Sequence, residues 1–472
     1  MTYTVGIDAG TQSVKVVVYD GEAGQVVASR SAALELTSGA DGSREQHPDA
    51  WTQAIRQCFA GIDGDVRRRV RAIAVSGQQH GFVPLDANGA VLAPAKLWCD
   101  TSSTLECEEI TAAAGGVARV IALAGNPILA GYTASKLPWT RKHRPEAYRR
   151  LATILLPHDY LNHWLTGEAF CEAGDASGTG WLDVRTRRWS SDMLHATDAD
   201  RDLAECLPPL VDSDRTFPIR ADRAEQLGLP ADVVVAAGGG DNMMAAIGTG
   251  CVRPGRLVMS LGTSGTLFAY ADTPAVDPEG RWAAFCSSSG GWLPLVCTMN
   301  CTVATETMAR LFGFDSRDGD RHIGATEPGA GGLTLLPFLN GERTPDLPLA
   351  RGALGGLTPH NASAANFYRA AMEGATYALK HGYEAFASAG MRFDHIVLTG
   401  GGAGSGAWRQ MVADVFGLPV RVPRDVEGAA FGAALQALWA LARARGDSTG
   451  IADLVDAHVH FDDALACNPR AA

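Results

Sequence analysis

The feature that most limits how this chain can fold occurs twice. Val5-Gly6-Ile7-Asp8 and Val14-Lys15-Val16-Val17-Val18-Tyr19 are short apolar runs joined through Gly10-Thr11. About half the chain later, Leu257-Val258-Met259-Ser260-Leu261 and Thr266-Leu267-Phe268-Ala269-Tyr270 flank Gly262-Thr263 in the same order. Runs of this kind read as strands, and the Gly-Thr pairs as turns between them. One such unit is a common hairpin, but two of them at this separation predict a duplicated domain. A chain of 472 residues has room for that, because each half can bury a core without disulfides or metals. We place the first domain at residues 1–245, the second at 246–445 and a tail at 446–472.

Between the two hairpins, strand and helix signals alternate, so the expected class is α/β. Val26-Val27-Ala28 is a third strand, and Pro48-Asp49 opens a helix over Trp51–Cys58. Ala72–Ser76 is a buried strand ending at Gly77. Glu106 to Trp189 is mostly helical, punctuated by Pro138, Pro145 and Pro157. Strand Val233–Ala237 then runs into Gly238-Gly239-Gly240-Asp241, and strand His395–Leu398 and helix Trp408–Phe416 bracket a glycine cluster.

Composition narrows the partners. The net charge of −12 argues against nucleic acid and anionic membranes. No apolar run approaches the roughly 18–20 residues of a membrane span. The ten cysteines are scattered without a zinc spacing, which reads as buried thiols in a reducing cytoplasm. The N-terminus enters a strand at once, so no signal peptide is expected. Glycine is in excess, with 54 residues. An excess of that kind suggests turns whose backbone approaches a ligand.

A Gly-Thr turn gathers backbone N–H groups and a hydroxyl at one point, which suits phosphate. Asp8 would sit beside that phosphate, and a carboxylate there calls for an intervening cation, Mg2+ being the natural one. Lys15, on the returning strand, could reach the same phosphates. The segment Gly402-Ala403-Gly404-Ser405-Gly406-Ala407 fits a dinucleotide fingerprint, with Asp425 and Glu427 about 20 residues on. The same strand, turn and helix suit an adenosine equally well. No Walker loop is present. Asp241 follows the triple glycine at a strand end next to the expected domain boundary. There it could take the proton of an attacking hydroxyl, with Asn242 orienting that hydroxyl. Taken alone, Asp241 reads better as a cap of helix Met243–Ile247. Ser76-Gly77-Gln78-Gln79-His80-Gly81 offers further polar groups at another strand end, and Asp100 follows Leu97-Trp98-Cys99.

These residues together resemble the FGGY carbohydrate kinases of the actin/hexokinase/heat-shock ATPase superfamily, from about residue 4 to residue 440. The most specific piece is Leu336-Pro337-Phe338-Leu339-Asn340-Gly341-Glu342-Arg343-Thr344-Pro345. Gly131-Tyr132-Thr133-Ala134-Ser135-Lys136-Leu137, Leu156–Leu161 and Asp175–Thr179 are also similar. Within that family the chain looks most like members that phosphorylate D-xylulose on O5. The resemblance implies two ribonuclease-H-like domains with ATP and sugar in the cleft between them. Asp241 would be the catalytic base, and Gln79, His80, Asp100, Asp241 and Asn242 would hold the sugar. Asp8 and Asp241 would hold Mg2+. Thr11, Gln12, Lys15, Gly262 and Thr263 would handle phosphates, and Gly402, Ala403 and Gly406 would lie along the adenosine. A second copy of the chain is the one protein partner left open.

The chain departs from those relatives at Gln79, where methionine is usual, and at Cys99, Thr101 and Ser102, where Asn, Gly and Arg are. Gly406 stands where related kinases often carry Asn. Kinases of glycerol, gluconate, ribulose or a similar sugar would share every turn and differ around Gln79, His80 and Asp100. More remote readings are an actin- or chaperone-like ATPase and a nicotinamide oxidoreductase bound at Gly402.

Overall fold

The structure is a computed structural model that describes residues 2–315, 318–324, 326–345, 347–425 and 428–470. Glu427 lies outside these residues. The first hairpin consists of β1 (Tyr3–Ala9) and β2 (Ser13–Asp20), antiparallel, and it continues into β3 (Gln25–Ala33). Helix α1 (Pro48–Ala60) starts at the proline signal, with the His47 side chain accepting from the Asp49 N–H. Strand β4 (Val70–Gly77) lies parallel to β1. Alternate residues of β1 serve different partners, as the period of a strand requires. Val5 and Ile7 join a core with Trp51 and Ile55 of α1, while Thr4 on the opposite face donates through Oγ1 to the Ala434 carbonyl at 2.9 Å.

The section that follows is largely helical. Its helix α2 (Thr133–His143) runs straight through Pro138, which corrects the reading of that proline as punctuation. Leu137 and Trp139 on either side are buried, and packing of this kind overrides the proline penalty. Pro145 and Pro157 do open helices; that at Pro157 is α3 (Pro157–Thr166). The sheet resumes with β5 (Thr216–Pro218) and β6 (Val234–Ala236), and a two-residue strand β7 (Gly239–Gly240) pairs with the end of β4. Helix α4 (Asp241–Gly248) starts directly after it. Its N-cap is Gly240 without a side-chain bond, so Asp241 is the first helical residue and not a cap.

The second hairpin is β8 (Gly255–Leu261) and β9 (Gly265–Ala269), extended by β10 (Ala283–Cys286) and β11 (Trp292–Thr298). Helices α5 (Thr302–Phe312) and α6 (Ala364–Ser388) precede β12 (Phe393–Thr399), which lies parallel to β8. Helix α7 (Gly406–Phe416), strand β13 (Val420–Arg421) and helix α8 (Gly428–Ala444) follow. The sheet orders are β5-β6-β4-β1-β2-β3 and β10-β11-β9-β8-β12-β13. In both, three antiparallel strands (β3-β2-β1 and β11-β9-β8) lead into two parallel ones (β4-β6 and β12-β13), so the repeat seen in the hairpins extends over five strands of each sheet, with β5 and β10 as antiparallel additions at the edges. This is the ribonuclease-H-like arrangement, present twice.

Helices α4 and α8 lie between the two sheets. Met243, Ile247, Phe431 and Leu435 share one core with Ala72 of the first sheet and with Val258 and Val397 of the second. The approach is backbone to backbone: a β-carbon on Gly432 would lie 1.8 Å from the Met244 carbonyl oxygen, and one on Gly6 the same distance from that of Ala430. All ten cysteines are free thiols. Cys99, Cys297 and Cys467 are only half-buried, which corrects the reading of every thiol as core. No helix among the described residues is long and apolar enough to cross a membrane.

Candidate active site

Strand β4 ends at Gly77, and the chain turns through Gln78, Gln79 and His80 above the end of β1. On the other side of β4, β7 delivers Asp241 to the same end of the sheet. Gly238 before it has φ of +72°, a conformation natural to glycine. The buried amide of Gln436 on α8 holds this residue at both ends, accepting from its N–H at 2.8 Å and donating to its carbonyl at 3.0 Å. A helix from the second half of the chain therefore sets the backbone three residues before Asp241.

The Asp241 carboxylate accepts from the Asn242 N–H at 2.8 Å and from the Asn242 side chain at 3.0 Å. Asn242 Nδ2 also donates to Gln79 Oε1 at 2.9 Å. Burial pushes the Asp241 carboxyl up to about 7, and the negative charges of Asp8 and Asp175 add to that shift. Gln79 Nε2 is buried with no protein partner, a position that a substrate hydroxyl would satisfy. His80 Nδ1 donates to the Gly178 carbonyl at 2.7 Å, leaving Nε2 as an acceptor. Burial pushes the imidazole down to about 3, so it is neutral at physiological pH.

Gln79, His80, Asp241 and Asn242 line one cavity of about 270 Å³, together with Trp98, Tyr132, Phe285 and Arg343. The first half of the chain supplies one wall and the second half the other. Strand β10 is fixed there by Asn126, whose amide bonds both the N–H and the carbonyl of Ala284 at 2.7 and 2.9 Å. A second cavity, of about 640 Å³, is lined by Gly262, Thr263, Gly401, Gly402, Ser405 and Trp408, among others. One turn serves both spaces: Ser264 lines the first, Gly262 and Thr263 the second. A group held at that turn faces a carboxylate-bearing pocket on one side and a glycine-lined one on the other.

Not every expected residue is found there. Asp100 is fully buried and does not line the cavity; Lys96, Ser102 and the Arg44 N–H take up its oxygens at 2.6 to 2.8 Å. Thr11 Oγ1 is engaged by Gln78 and by the Trp98 indole N–H. Gln12 is exposed at the tip of the first turn, and Lys15 stands opposite Asp8 in the β1–β2 register. None of these three lines either cavity. Ala403 is buried and the Gly406 N–H is taken by Asp320 at 2.8 Å, and neither residue lines the second cavity. Asp8 accepts from Ser76 Oγ at 2.8 Å. Asp320 and Tyr368, which line the second cavity, and Trp98 and Asn126, which line the first, carry no signal in the sequence. Tyr132 and Arg343 stand inside the family-like segments, and both line the first cavity.

The chain matches the N-terminal domain of the FGGY family of carbohydrate kinases over residues 3–248 and its C-terminal domain over residues 257–441. It is 40% identical to a xylulose kinase of Haemophilus influenzae over 99% of this chain and 95% of that protein. It is 37% identical to a xylulose kinase of Escherichia coli over 91% of this chain and 88% of that one. Among solved structures, a xyloylose kinase from Brucella ovis superimposes with a TM-score of 0.89 at 33% identity, covering 100% of this chain and 93% of that one. The duplicated sheets, the carboxylate-bearing cavity and the glycine-lined one thus occur in a chain that belongs to the FGGY family of carbohydrate kinases, enzymes that phosphorylate sugars with ATP.

Proposed function

We propose that this enzyme phosphorylates D-xylulose on O5, giving D-xylulose 5-phosphate and ADP. One observation carries the reading: Gln79, His80, Asp241 and Asn242 share a cavity that meets a glycine-lined pocket at a single turn. The names of the relatives support the choice of sugar. Asp241 accepts the proton of the attacking hydroxyl as its oxygen closes on the γ-phosphorus, and the hydroxyls not being transferred bond to Gln79 Nε2, His80 Nε2 and Asn242. The backbone of Gly262 and Thr263 receives the phosphates, and Gly402, Ala403 and Gly406 lie along the adenosine. Asp8 and Asp241 offer oxygen-only ligands at neighbouring strand ends, a donor set that fits Mg2+. When bound there, Mg2+ would neutralise phosphate charge. We assign the enzyme to the cytoplasm, where its ten free thiols stay reduced.

The test is ADP release measured over a panel of sugars and polyols. D-xylulose is expected to give the highest kcat/KM. A tenfold better result with glycerol, gluconate or ribulose overturns the choice of sugar, and ATP turnover indifferent to every acceptor overturns the kinase reading. A narrower prediction concerns the unpartnered amide. Gln79→Leu is expected to raise the sugar KM about three- to tenfold, the worth of one neutral hydrogen bond. The KM for ATP should stay unchanged.

A further inference from the structure

His80 is one of three non-glycine residues with positive φ among those described, at 66°. L-residues adopt that region rarely, so the surroundings must hold it there. Its carbonyl is met by two side chains of α2, neither of which lines the cavity. Lys136 Nζ donates to the His80 carbonyl at 2.5 Å and, with a second N–H, to the Gly131 carbonyl. Thr133 Oγ1 donates to the same His80 carbonyl at 3.2 Å. Lys136 is 0% exposed, and its amino group bonds backbone carbonyls from two segments. The ring that the backbone presents is fixed at its far side by Gly178 and packs on Tyr132 with centroids 4.6 Å apart. Both neighbours of Lys136 in this arrangement, the loop carrying Gln79 and His80 and the segment at Gly131 and Tyr132, line the cavity.

We propose that Lys136 is a positioning residue for the acceptor site: its buried amino group ties the carbonyl of His80 to that of Gly131 and so holds His80 in the left-handed conformation that turns its imidazole into the cavity. The proposal rests on the reading of that cavity as the sugar site. Two carbonyls from separate segments need donors, and one buried side chain reaches both. Lys136 touches neither cavity, so it acts only through the residues it holds.

The experiment compares Lys136→Met with the unaltered enzyme, alone and in a His80→Gly background. Methionine keeps the length of the side chain and removes the donors. Lys136→Met is expected to raise the sugar KM at least tenfold, with the KM for ATP changed less than twofold. In the His80→Gly background the left-handed conformation is relaxed and the imidazole is gone, so the same substitution should add less than threefold. A full tenfold increase there, or equal rises in both KM values, overturns the proposal. Should Lys136→Met fail to fold, Thr133→Val removes the other donor to the same carbonyl. It is expected to raise the sugar KM two- to fivefold, and to have no such effect in the His80→Gly background. A readout independent of any sugar is the Nδ1–H proton of His80, followed by NMR with labelled histidine. It should exchange slowly in the unaltered enzyme and lose that protection in Lys136→Met. Its persistence in the variant overturns the positioning role whatever the cavity binds, whereas failure of the sugar panel overturns only the reading of the cavity.

Discussion

Asp241→Asn is expected to lower kcat at least a thousandfold while leaving the thermal midpoint unchanged or raised. Asparagine has the shape of aspartate, and its Oδ1 can still accept from the Asn242 N–H that now bonds the carboxylate. What it cannot do is take a proton. General base catalysis is worth roughly 10²–10⁴ in rate, and the Mg2+ site proposed at Asp8 and Asp241 would lose one of its two carboxylates as well. Stability should move the other way. The folded-state carboxyl is raised from 3.8 to about 7, so the fold disfavours the charged form. A raised carboxyl weakens the fold as pH rises from its unfolded value through its folded one. Above pH 7 the neutral asparagine therefore removes a destabilising charge.

The same shift fixes the sign of the pH profile: kcat/KM should fall as the pH drops, by tenfold per unit once the carboxyl is protonated, because the protonated acid cannot act as base. ADP release from purified protein, followed from pH 5.5 to 8.5, checks both statements. Retention of more than a tenth of the rate by Asp241→Asn overturns the assignment of the base.

How much of this was readable beforehand depends on where each partner lies along the chain. The hairpins and the strands beside them were legible because a strand's pattern is local, and the Gly-Thr turns between them were legible because turn chemistry is local too. Gln79, His80, Asp241 and Asn242 share one cavity because each follows closely on the end of a strand, and the ends of parallel strands converge at one edge of a sheet. Asp100 follows an apolar run in the same way, yet Lys96 four residues earlier turns it inward. Asp320 caps α7 across 86 residues, and Asn126 grips β10 across 158. Contacts of this length leave no periodicity in the sequence. Pro138 was misread for a related reason, since its helix is held by burial and not by propensity. The glycines at 329–332 form a turn into strand Thr334–Leu336 and line neither cavity.

The second large effect concerns folding. Gly432→Ala is expected to destabilise the protein by roughly 3 kcal/mol or more, against a usual overpacking penalty of about 1–3. Two terms compete. Alanine favours a helix over glycine by about 1 kcal/mol, which alone would stabilise α8. Opposing it, the new β-carbon would lie 1.8 Å from the Met244 carbonyl oxygen and 2.7 Å from the Gly248 nitrogen. These are backbone atoms, which cannot rotate aside, so the helices would have to part by over about 1 Å to restore contact. Parting them strains the rest of the layer, which is packed as closely elsewhere: a β-carbon on Gly248 would lie 2.0 Å from the Gly428 carbonyl oxygen, and one on Gly6 1.8 Å from that of Ala430. It would also pull Gln436 from Gly238, and with it the backbone leading to Asp241. The clash should therefore win over propensity, and kcat should fall together with stability. Gly355→Ala is the control, since nothing lies within 4 Å of a β-carbon there. Urea denaturation followed by far-UV circular dichroism, with ADP release alongside, compares the two. Gly432→Ala should show an earlier midpoint or fail to accumulate as folded protein, and Gly355→Ala should match the parent. A midpoint for Gly432→Ala equal to the parent's means that the two helices do not meet as closely as described.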